Sequence, residues 1–87
     1  MTAAVQPEAE VFGARLRELR EKRGETVRSL ADAAGTSFTY ISDMERGLKV
    51  PSLTMLLRLA IALDCKVTDL VKVFNGRDLR VLVPKRR

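Results

Sequence analysis

Three glycines, Gly24, Gly35 and Gly47, divide the first half of this chain and hold any helix there to a few turns. Glycine most easily takes the left-handed conformation that closes a helix, and it is poor in a helix interior. Between these stops the apolar residues recur at helical spacing. Phe12, Leu16 and Leu19 fall at i, i+4 and i+7 ahead of Gly24. Val27, Leu30, Ala31 and Ala34 share one face ahead of Gly35, and Ile41 and Met44 pair ahead of Gly47. Each segment therefore reads as a short amphipathic helix, with no strand alternation.

The start signals agree with the stops. Helix one is expected from about Ala9 to Arg23, Thr26 can cap helix two and Ser37 helix three. Pro51 disfavours helical geometry at Val50, so a connection over 48–51 is expected, with Ser52 capping a leucine-rich helix four. Leu53, Leu56, Leu57 and Ala60 are read as its inward stripe, while Met55, Leu59 and Ala62 make a second apolar face. Thr68 is expected to cap helix five, with Val67, Leu70, Val71 and Phe74 inward and Gly76 closing it; Arg80 to Val83 reads as a short extended segment. The fold class is all-α: a compact five-helix domain over residues 11–74, preceded by an N-terminal arm over 1–10 and followed by a basic C-terminal tail over 75–87.

Composition excludes several functions. At 87 residues, 46% hydrophobic and 31% charged, the chain suits one small globular domain. Its longest unbroken apolar run, Leu59 to Leu63, is far short of the ~20 residues that span a bilayer, so no membrane partner is expected. Residues 1–10 hold Glu8, Glu10 and no base, unlike a signal peptide, and a cytoplasmic location is expected. One cysteine, Cys65, and no histidine leave no disulfide framework, no ordinary zinc site and no usual neutral-pH acid/base. The reading is therefore no enzyme, no cofactor, no metal and no small-molecule substrate. The net charge of +5 points to an anionic partner, but it is unevenly placed. Residues 11–49 carry eight bases against six acids, residues 50–74 three against two, and residues 75–87 five against one. Most of the excess lies in the tail. Arg15, Arg17, Lys22 and Arg23 read as a solvated face paired with Glu18, Glu21 and Glu25.

Residues 26–47 carry the chemistry. Two short helices meet across a tight turn at Gly35, with small Ala31 where they pass closely. Once Ile41 and Met44 point inward, Phe38, Thr39, Ser42, Asp43 and Arg46 share the opposite face of helix three, a surface that can enter a major groove. The stretch Thr-Val-Arg-Ser-Leu-Ala-Asp-Ala-Ala-Gly-Thr-Ser-Phe-Thr-Tyr-Ile-Ser-Asp-Met-Glu-Arg-Gly resembles the helix-turn-helix of the lambda-repressor-like family, also called Cro/CI or Xre type. Leu16-Arg17-Glu18-Leu19-Arg20 looks like that family's first helix; Pro51-Ser52-Leu53 and Leu56-Leu57-Arg58-Leu59-Ala60 look like its fourth. The likeness covers about residues 11–74.

The resemblance implies roles. Phe38, Thr39, Ser42 and Asp43 would lie nearest the bases. Thr26, the backbone at Val27, Arg28, Ser37, Arg46, Lys49 and Ser52 would be on the phosphate side, and Glu45 would pair internally with Arg20 of helix one. Val27 departs from the glutamine common at its position, which leaves Arg28 more to do. Two uses are open to Asp43, accepting from a cytosine amine or orienting Arg46; Phe38 can touch a thymine methyl group or cover the core edge. The tail can be a DNA-grasping arm or a solubilising end. The expected function is a sequence-specific, double-stranded-DNA-binding transcriptional regulator, of bacterial or phage type, that binds a pseudo-palindromic operator as a homodimer. Phage-type repressors, restriction–modification controllers and antitoxin-like regulators all fit. Helices four and five, with Leu59 and Val71, are the expected dimer interface. The alternative is a protein-interaction adaptor of the same fold, drawing non-specific DNA affinity from the tail.

Overall fold

A computed structural model describes residues 7–74, which form five helices and no strand. In chain order these are α1 (Pro7–Lys22), α2 (Val27–Ala34), α3 (Phe38–Glu45), α4 (Leu53–Ala62) and α5 (Val67–Val71). The expectations for residues 75–87, the extended segment at 80–83 included, lie outside the described residues. No helix among the described residues is long and apolar enough to cross a membrane.

Local hydrogen bonds set most of the boundaries. At α2 the Thr26 hydroxyl accepts from Ser29 N–H, and the Ser29 hydroxyl accepts from Thr26 N–H, both at 2.9 Å. These reciprocal bonds satisfy two donors, as in a capping box. Ser37 accepts from Tyr40 N–H and Ser52 from Met55 N–H, each at 3.1 Å. Gly35 ends α2 at φ +70°, a conformation in which any side chain is strained.

Two boundaries differ from the sequence reading. Among the described residues α1 runs from Pro7 and so takes in the last four residues of the expected arm; Ala9 is buried. Glu8 and Glu10 in the first turn complement the helix dipole. Thr68 does not cap α5. Lys66 precedes the helix, and its N–H donates to the Asp69 carboxylate at 2.9 Å.

The core joins all five helices through Phe12, Leu16, Leu30, Ile41, Met44, Leu59 and Leu70, among others. Leu59 is fully buried, which corrects its place in a dimer interface, and Val71 packs partly buried against the same core. The inward face of α4 is Met55, Leu59 and Ala60, with Leu63 beyond its end, while Leu53 and Leu57 of the expected stripe are exposed. Helix α4 is apolar nearly all round, so periodicity alone could not orient it. Arg15 also departs from the solvated face. It is buried, its Nε donates to the Asp69 carbonyl at 2.8 Å, and its Nη1 donates to Glu18 at 2.8 Å, tying α5 to α1. That contact holds the Glu18 carboxyl below its ordinary pKa. Cys65 is half-buried, and burial raises its thiol pKa, followed by the Asp69 charge; it is a small packing group.

Gly13 sets how closely α1 crosses α3. A Cβ there would clash with the backbone carbonyls of Met44 and Glu45. Gly13→Ala is expected to cost about 1–3 kcal/mol. The two faces of α4 give a sharper contrast. Leu59→Ala should lower the unfolding free energy by about 2–5 kcal/mol, while Ile61→Ala, at a 79% exposed position, should change monomer stability by under about 0.5 kcal/mol. Urea denaturation at low protein concentration checks all three.

Candidate nucleic-acid interface

The end of α3 is fastened to α1 by a two-point ion pair. Arg20 Nε donates to Glu45 Oε2 at 2.6 Å and Nη2 to Oε1 at 3.0 Å. The remaining Nη1 donates to the Glu25 carbonyl at 2.8 Å. One guanidinium thus holds the last residue of α3 and the residue just before the α2 cap. Both side chains are largely buried, at 12% and 8% exposure, so these three bonds offset the cost of their desolvation. Hydrogen bonding to Glu45 raises the Arg20 pKa against the opposing effect of burial. These are the two residues that the motif pairs.

With α3 held this way, Ile41 and Met44 are buried, and Phe38 and Thr39 are exposed at its start. Ser42 is half-buried. Asp43 does not present a free carboxylate. It is buried, its Oδ1 accepts from Arg46 Nη2 at 2.7 Å, and its Oδ2 lies 3.6 Å from Lys49 Nζ. Of the two uses open to Asp43, this contact is the orienting of Arg46: the spacing of three residues brings the two together on the last turn of the helix. The Arg46 and Lys49 side chains remain well exposed, at 63% and 58%.

The phosphate-side candidates divide by geometry. Thr26, Ser37 and Ser52 are exposed N-caps. Each hydroxyl accepts a backbone N–H, which leaves its own proton to donate. The Val27 side chain is half-buried against the core and has no polar group to offer, so a hydrogen bond from this residue would come from its backbone. Arg28 is exposed and lies against Phe38, its Cζ 5.2 Å from the ring centroid.

Two features escaped the sequence reading. Tyr40 is half-buried and its hydroxyl donates to the Val50 carbonyl at 3.3 Å, anchoring the α3–α4 connection that carries Lys49. Its spacing of four from Met44 was the available signal. Gly13 had none, because its role depends on a backbone that passes only in the folded chain.

A helix-turn-helix family profile matches residues 16–70. The chain belongs to this lambda-repressor-like helix-turn-helix family. It is 47% identical over 58 residues to DdrOP3, an HTH-type transcriptional regulator of Deinococcus deserti, in a match that takes in 67% of this chain and 45% of that protein. The chain spans about half the length of this and similar curated relatives. The restriction-modification controller protein C.AhdI of Aeromonas hydrophila superposes with a TM-score of 0.73 at 38% identity, over 75% of this chain and 98% of that one. SinR, a master regulator for biofilm formation solved in complex with DNA, superposes with a TM-score of 0.66 at 33% identity, over 69% and 97% of the two chains. These relatives are regulators, not enzymes.

Glu45→Ala should destabilise the domain by about 3–5 kcal/mol, because it leaves the Arg20 charge buried without its partner. Pairing Arg20→Met with Glu45→Leu should recover much of that loss. A cycle in urea that compares Arg20→Met and Glu45→Leu, singly and together, with wild type reads the coupling.

Proposed function

We propose that this chain is a sequence-specific transcriptional regulator that binds double-stranded DNA as a homodimer on a pseudo-palindromic operator. The observation that carries the reading is the helix α3 whose inner face and end are fixed by Ile41, Met44 and the Arg20–Glu45 pair while its opening residues stand free. The likeness to SinR, whose DNA complex is solved, supports it. Phe38, Thr39 and Ser42 lie nearest the bases. The Thr26, Ser37 and Ser52 hydroxyls, the backbone at Val27, and the Arg46 and Lys49 cations take phosphates, which set position rather than sequence. Asp43 acts through Arg46 and Lys49.

A second copy of the chain would cover the outer side of α4. Leu53, Leu57 and Ile61, at i, i+4 and i+8, are 72%, 45% and 79% exposed. Beside Ile61 a shallow depression carries Asp32 and Arg58. Opposite charges on one patch suit a two-fold contact, in which each pairs with the other copy's counterpart. These residues replace Leu59 in the expected interface. The same apolar stripe is what an adaptor of this fold would use, and the test below separates the two.

Selection from a randomised duplex pool at ~150 mM salt, where purely electrostatic binding is weakened, should enrich a two-fold symmetric site. Thr39→Glu with Ser42→Glu should abolish that enrichment with thermal unfolding preserved. Salt-sensitive binding with no enriched site would reject the operator reading and favour the adaptor. Sedimentation should show a dimer that Ile61→Glu converts to monomer; a wild-type monomer well above micromolar concentration would reject the dimer.

A further inference from the structure

Arg28 lies in the first turn of α2 and Phe38 opens α3, ten residues apart in the chain, and the fold places the guanidinium over the ring, its carbon 5.2 Å from the centroid. Phe38 stays 46% exposed, which is far more than a residue recruited to cover a core edge, and Arg28 is exposed as well. Among the described residues no carboxylate pairs with Arg28. The phosphate-side cations Arg46 and Lys49 are arranged differently: both lean on the Asp43 carboxylate.

A phosphate can be met by a point charge on a flexible stem or by a guanidinium fork, but neither needs an exposed aromatic ring beside it. A guanidinium laid over an aromatic face has a restricted plane and presents its free N–H edge in one direction. That is the requirement for a base edge, where two parallel N–H donors meet O6 and N7 of guanine. The aromatic partner brings a complementary demand. An exposed phenyl ring has no hydrogen bond to offer, and the apolar feature in the major groove is the C5-methyl group of thymine.

We infer that Arg28 and Phe38 act as one specificity-determining unit that reads two adjacent base pairs, with Arg28 donating to a guanine and Phe38 covering the methyl group of the neighbouring thymine. This rests on the operator-binding reading above and moves Arg28 from the phosphate side to the bases. Phe38 both contacts DNA and positions Arg28.

Site selection is run in parallel on wild type, Arg28→Lys, Phe38→Ala and Phe38→Leu, with binding to the wild-type site and to random duplex measured for each. The wild-type half-site should hold a fixed guanine beside a fixed thymine. Arg28→Lys keeps the charge and loses the two-pronged edge. It should relax the guanine position and weaken the selected site by about 5- to 150-fold, the equivalent of a bidentate base contact, while random-duplex affinity and salt dependence hold. Phe38→Ala should relax the thymine position and also blunt the guanine preference; Phe38→Leu should restore the thymine preference without the full guanine preference. Both residues are exposed, so thermal unfolding should not move. Unchanged site and affinity for Arg28→Lys would make Arg28 a phosphate contact and overturn the inference with the operator reading intact. A guanine preference indifferent to Phe38 would overturn the coupling. If wild type enriches no site, the inference and the operator reading fall together.

Discussion

The Arg20–Glu45 pair is the point on which the arrangement of α1, α2 and α3 depends. Its guanidinium makes three hydrogen bonds, two to the last residue of α3 and one to the carbonyl that precedes the α2 cap. Two largely buried charges are tolerable only when they are closely paired and hydrogen-bonded, so small displacements of either helix are costly. The same turn of α3 is where Gly13 lets the α1 backbone come close to the Met44 and Glu45 carbonyls. Steric fit and charge pairing therefore coincide at one crossing, and the direction in which α3 leaves that crossing decides what its first turn can reach.

The polar surface follows from this frame. Three hydroxyl caps at Thr26, Ser37 and Ser52 open three successive helices, and the Tyr40 bond to Val50 steadies the connection between two of them. Asp43 gathers Arg46 and Lys49 at the far end of α3, and Arg28 stacks on Phe38 at its near end. Residues 11–74 carry eleven bases against eight acids, so the described body is close to charge balance. In the proposed operator complex, selectivity would then come from the placement of a few groups more than from bulk attraction.

Much of this was legible in the sequence where the controlling interaction is local. The caps at Thr26, Ser37 and Ser52 and the stop at Gly35 each depend on hydrogen bonds or φ preferences spanning at most a few residues. The Ile41 and Met44 anchors followed from helical spacing, and the Arg20–Glu45 pair from the motif. Where local signals are degenerate, the folded chain departs from them. Lys66 and Asp69 open α5 although Thr68 is the better capping residue by type. Asp43 looked like part of a free polar face because spacing shows which residues share a face, not which of them bond one another.

The sequence by itself determined the order and kind of the helices, the caps of α2, α3 and α4, and the inner anchors of α1, α2 and α3, because a short polar side chain, a glycine or a helical stripe acts within a turn or two of its own position. Only the tertiary structure decided which apolar face of α4 is buried, that Gly13 must lack a side chain, that Arg15 reaches a carbonyl 54 residues away, and that Arg28 lies on Phe38. Each of these depends on which surfaces meet once the loops close. A helix apolar on every side, or an arginine with several partners in range, takes its orientation from the neighbours that pack against it.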